Sequence, residues 1–206
     1  MDAFAKKANE AAKALSTTTN NYAKASLIFY QQGLGDADVK ARTDAVMKMV
    51  NVTKDSAEEV SSYMTAIWNN FDDGAKSLEH YADVMTALGA ATASSTAEIA
   101  AGLEKFASIG DTIGLSYEYA TSALATIVAQ TRQSSEVVGN GLRTIFSRLQ
   151  GLKLGETLDD GVSLNKYSQA LSNVGVQILD AAGNMKNMDT ILDDLASKWT
   201  KLSKAQ

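Results

Sequence analysis

One histidine, His80, is the whole imidazole inventory of this 206-residue chain, and there is no cysteine at all. A Ser/His/Asp triad would have to be built on His80. Its neighbours Glu79 and Tyr81 place it in a helical stretch, where a lone histidine reads as a surface or packing residue. The same scarcity excludes thiolate zinc sites, disulfides and cysteine nucleophiles, and neither an H-E-x-x-H nor an EF-hand loop occurs.

Two further patterns touch on chemistry. Ser163-Leu164-Asn165-Lys166 fits the S-x-x-K nucleophile pattern of penicillin-recognising enzymes, but the S-D-N and K-T-G companions are missing. The pairs Asp72-Asp73, Asp159-Asp160 and Asp193-Asp194 are adjacent carboxylates that face water in turns, whereas glycosidase pairs come from separated positions. The polar run Ser94-Ser95-Thr96 ahead of Gly102 suggests a phosphate cradle, yet no G-x-x-x-x-G-K-[ST] accompanies it. The sequence therefore assigns no catalytic, cofactor-binding or metal-ligating residue and implies no cofactor. A non-enzymatic role is the expectation, with a cell-wall hydrolase module as the weakest alternative.

Charge narrows the partners. Residues 51–120 carry Lys54, Lys76 and Lys105 against an excess of carboxylates, while Arg132, Arg143, Arg148 and Lys153 face a single Glu136 in residues 121–155. A pI of about 4.9 argues against a nucleic-acid binder, and the four cations read as solvated helix faces rather than a phosphate patch. Tyr117 and Tyr119 fall on different sides of a helix, and Trp68 and Phe71 lie beside Asp72 and Asp73, so the aromatics read as core rather than a base-stacking platform. The longest uncharged run, Val84 to Ala97, is shorter than the roughly 20 apolar residues of a membrane span. The first residues lack the apolar segment of a signal peptide.

The elements that position these groups are helical. There is no proline where average usage of about 5% would supply several, and Ala, Leu, Met, Ser and Thr dominate. Ser56-Ala57-Glu58-Glu59 and Ser95-Thr96-Ala97-Glu98 are capping boxes, and Gly33, Gly35, Gly74, Gly89, Gly110, Gly114 and the pair Gly151 and Gly155 mark helix ends. Helices are predicted at residues 2–15, 19–32, 36–50, 55–70, 76–89, 95–109, 116–131 and 134–150.

A step of 39 residues aligns Thr53, Thr92 and Thr131, then Val60, Ile99 and Val138, then Met64, Leu103 and Leu142, then Ile67, Phe106 and Ile145. Val46, Met85 and Leu124 form another such column, as do Met49, Leu88 and Ile127. Apolar spacings of three, four and seven within each unit put Ile99, Leu103 and Phe106 on one helix face, so each unit is expected to be a helical hairpin that must stack to bury it. Gly102, matched by Gly141, marks a close helix approach. The expected class is all-α, stacked hairpins over residues 1–150.

The pattern fades past Gln150. Residues 151–206 are expected to form a loop across Gly151 to Gly161, a helix with Leu164, Tyr167 and Leu171, a small β-hairpin within "VGVQILDAAGNMKNMD" at residues 174–189, and a last helix with Leu192, Leu195, Trp199 and Leu202. The uncapped end at Lys204-Ala205-Gln206 suggests a module cut from something longer.

From about Ala11 to Gln206, stretches such as "LIFYQQGLGDADVKARTDAVMKMVNVTKDSAEEVSSYMTAIWNNFDDG", "ALGAATASSTAEIAAGLEKFASIGDTIGLSYEYATSALATIVAQTRQSSEVVGNGLRTIFSRLQGL" and "NMKNMDTILDDLASKW" resemble the core domain of tail tape measure proteins of long-tailed phages and prophages. The resemblance implies a structural virion protein whose parent lies in the tail-tube lumen, sets tail length and leaves during genome delivery, after assembly in the host cytoplasm. Implied partners are tube, tail-tip or baseplate proteins, or copies of itself. The family supplies no catalytic residue for this region. A single helix of 206 residues would reach about 309 Å at roughly 1.5 Å per residue, which the glycine-rich turns forbid, so the segment is expected to be a compact module rather than a ruler. The competing expectation is an α-helical repeat scaffold that binds a cellular protein.

Overall fold

The computed structural model describes residues 2–72, 74, 76–92, 94–154, 165–182 and 184–203. Within them the chain is mostly helical: α1 (Asp2–Ala14), α2 (Thr19–Gln31), α3 (Asp36–Thr53), α4 (Ala57–Phe71), α5 (Leu78–Ala91), α6 (Thr96–Glu104), α7 (Ala107–Thr112), α8 (Tyr117–Thr131), α9 (Ser135–Leu154), α10 (Asn165–Asn173) and α11 (Met188–Trp199).

Side-chain chemistry at the helix ends explains these boundaries. The hydroxyls of Ser56 and Ser95 accept the amides of Glu59 and Glu98, whose carboxylates accept the serine amides in return, completing both capping boxes. Thr18, Ser77 and Ser116 cap α2, α5 and α8 in the simpler way. Gly33, Gly114 and Gly175 stop α2, α7 and α10 with positive φ, each inside a Schellman pair of backbone bonds, such as Val176 N–H to Leu171 C=O with Gly175 N–H to Ser172 C=O. Thr53, Thr92 and Thr131 each turn a hydroxyl to the amide two residues on, which closes α3, α5 and α8 alike. Helices α4, α6 and α9 start at residues 57, 96 and 135, and α5 and α8 at 78 and 117.

The helices pack in two rows. Helix α5 contacts α3 and α8 in one row, and α6 contacts α4 and α9 in the other; α3 lies on α4, α5 on α6, and α8 on α9. Helices α1 and α2 cover one end, with α2 against both α3 and α4. The core between the rows holds Phe29, Val46, Met64, Ile67, Trp68, Met85, Ile99, Leu103, Phe106 and Leu124, all almost wholly buried. Burying one such side chain is worth about 1.5–3 kcal/mol. Arg42 lays its guanidinium over the Trp68 ring, 5.2 Å from the centroid, and shields the edge of that core.

The closest crossing is between α6 and α9. A Cβ added at Gly139 would lie 2.4 Å from the carbonyl oxygen of Gly102, and one at Gly102 would lie 2.7 Å from Leu124 and 2.8 Å from the Ser135 carbonyl oxygen. The close approach read at Gly102 is thus present, but its partner glycine is Gly139. Gly141 faces open space.

Four expectations are corrected. The helix predicted at 95–109 breaks at Lys105 and Phe106, whose amides bond three residues back to Gly102 and Leu103; the tightening swings Phe106 into the core against Phe146, centroids 5.7 Å apart. Helix α9 does not stop at residue 150 but continues through Gly151 to Leu154, since one interior glycine costs about 1 kcal/mol and Leu149 and Gln150 before it and Leu152 and Lys153 after it favour helix. No strand occurs among the described residues. The expected hairpin at 174–189 is reduced to one antiparallel bridge between Leu179 and Met185. Its apolar alternation is a helix stop in disguise: Val174 ends α10, Gly175 reverses the chain, and Val176 tucks into the core with no exposed surface. Ile145, aligned with the buried Ile67 and Phe106, is 53% exposed.

Candidate functional site

A group of polar side chains forms where α5 and α8 begin. Ser77 and Ser116 set these two helix starts side by side, which brings Lys76, His80 and Glu118 together across α5 and α8. Glu118 accepts from both Lys76 Nζ and, at 2.7 Å, His80 Nε2. Partial burial pushes its carboxyl up, but the hydrogen bonds from Lys76 and His80, together with its place in the first turn of α8, outweigh that and hold its pKa at about 2.

Beneath this cluster is an open cleft of about 350 Å³ lined by Phe71, Asp72, Lys76, Tyr81, Asp111 and Glu118 among others. The Tyr81 hydroxyl donates to the Phe71 carbonyl at 2.9 Å, and the buried Tyr117 hydroxyl donates to the Tyr81 carbonyl. The two rings meet edge to face with centroids 4.9 Å apart, and Phe71 packs on Tyr117 at 5.6 Å. Burial raises the Tyr117 hydroxyl far above the ordinary phenol range, so it stays a neutral donor. The arrangement ties the end of α4 to the starts of α5 and α8; it works as a joint between helices. Among the described residues no group of three or more His, Asp and Glu side chains converges as a metal would require.

The residues singled out in the sequence for possible chemistry scatter. His80 packs its ring edge-on to Tyr81 and is engaged by Glu118. Ser163, Asp159, Asp160 and Asp73 lie outside the described residues, and the Lys166 side chain is not described. Asp72 caps the turn after α4 by accepting the Gly74 amide, and Asp194 pairs with Lys198 one helical turn on. Arg132 ends α8 in the left-handed conformation, while Arg143 and Arg148 are exposed on α9 about 140° apart around its axis, so those two do not converge. Ser95 is a helix cap and no cradle.

Sequence reasoning passed over Glu118 and Lys76. Their one signal was indirect: Ser77 and Ser116 are 39 residues apart, so the charged residues beside them belong to equivalent helix starts. A second concavity, about 720 Å³, runs between α1, α2 and α3 and is lined by Phe4, Ala8, Ala11, Tyr22, Tyr30 and Val39 among others. Its rim is polar, with the Tyr22 hydroxyl donating to Asp44 and the Tyr30 hydroxyl to Asp36. No described helix is long and apolar enough to cross a membrane.

A family model described as phage-related minor tail protein matches residues 5–206. A probable tape measure protein of Escherichia phage P2 is 24% identical over 202 residues, covering 98% of this chain and 23% of that protein. The chain therefore spans about a quarter of the length of the curated relative it matches. No solved structure matches the chain.

Proposed function

The chain belongs to the phage-related minor tail protein family, and from that premise we propose that it is a non-enzymatic folded module of a tape-measure-type protein, whose parent acts in tail assembly, length determination and genome delivery. The observation that carries this reading is a family match over all but the first four residues. In this reading the module is a component of the virion tail, housed in the tube lumen after assembly in the host cytoplasm. Its partners are tube, tail-tip or baseplate proteins. The module is compact, with the longest helix among the described residues, 20 residues, spanning about 30 Å at roughly 1.5 Å per residue. Length measurement then belongs to other parts of the parent protein, and this part supplies a docking body. We further read the pairs α3–α4, α5–α6 and α8–α9 as three copies of one stacked hairpin, on the strength of the starts of α4, α6 and α9 and of Thr53, Thr92 and Thr131, which recur every 39 residues, although α3 starts at Asp36, three residues ahead of that step.

An in-frame deletion of the 206-residue segment from a tailed phage that encodes it tests the reading. The expected result is failure to form complete tails, with the surviving structures not shortened in proportion to the roughly 309 Å that an extended helix of this length would occupy. Normal, fully infectious particles would overturn it. So would tails shortened by that full length, which would make the segment a ruler.

A further inference from the structure

We draw no further inference here: the strongest candidate, the apolar concavity of about 720 Å³ between α1, α2 and α3 with Phe4, Ala11, Tyr22, Tyr30 and Val39 in its walls, carries no proposal because nothing in the structure shows what covers it.

Discussion

Two glycines on α9, two residues apart, should respond oppositely to the same substitution. In Gly139→Ala the new methyl would sit 2.4 Å from the Gly102 carbonyl oxygen and 3.1 Å from its carbonyl carbon. Both atoms are backbone in the neighbouring helix, so no rotamer change relieves the clash and the helices must separate. Overpacking of this kind costs about 1–3 kcal/mol, at the upper end where backbone must move, and the gain in helix propensity returns roughly 1 kcal/mol. The expected net loss is about 1–2 kcal/mol. In Gly141→Ala the methyl meets nothing within 4 Å, so only propensity acts and the protein should gain about 0.5–1 kcal/mol. At roughly 2–4 °C per kcal/mol for a chain of this size, the two variants should melt about 3–12 °C apart. Thermal melts followed by far-UV circular dichroism at low protein concentration, repeated with urea, read this directly. A Gly139→Ala protein as stable as the parent, or a Gly141→Ala protein less stable than it, would refute the α6–α9 crossing as described.

Leu103→Asp places a charge at a position with no exposed surface and should unfold or loosen the domain; a melting temperature equal to the parent's would sink the buried stripe of α6. Ser95→Ala removes the hydroxyl that accepts the Glu98 amide and should cost about 1 kcal/mol by urea denaturation, with Ser56→Ala costing a similar amount at the matching cap of α4. Glu118 has a folded pKa of about 2, below the ordinary glutamate value of 4.5. Its contribution is therefore present above about pH 4.5 and lost as pH falls toward about 2. Because the side chain is 39% exposed, solvent screening keeps that contribution within about 1 kcal/mol. Glu118→Gln should flatten the parent's loss of stability between those pH values, and an unchanged acid profile would count against the Lys76–His80–Glu118 joint.

Most of the helical skeleton was legible because its signals are local. Ser56 and Ser95 each find their glutamate three residues on, Gly33 and Gly114 each provide the positive φ that ends a helix, and Ile99, Leu103 and Phe106 recur at the period of a buried face. Signals that depend on a distant partner misled. Gly102 announced a close approach, but whether its counterpart was Gly139 or Gly141 depended on how α9 rotates against α6. Val174 and Val176 looked like alternate residues of a strand because nothing local says that Gly175 is reversing the chain between them. The polar joint was invisible for the same reason: Lys76 and Glu118 are 42 residues apart, and only packing of α5 on α8 makes them neighbours.

By itself, then, the sequence determined the helical class, the positions of most caps and stripes, the absence of cysteine chemistry and the resemblance to tail proteins, since each rests on composition or on residues within a turn or two of one another. The tertiary structure decided which glycine meets which, which apolar positions of α9 are left facing outward, and which charges share a joint. Those outcomes depend on the rotation and offset of whole helices against each other, which are set by the summed fit of many side chains rather than by any residue's own neighbours.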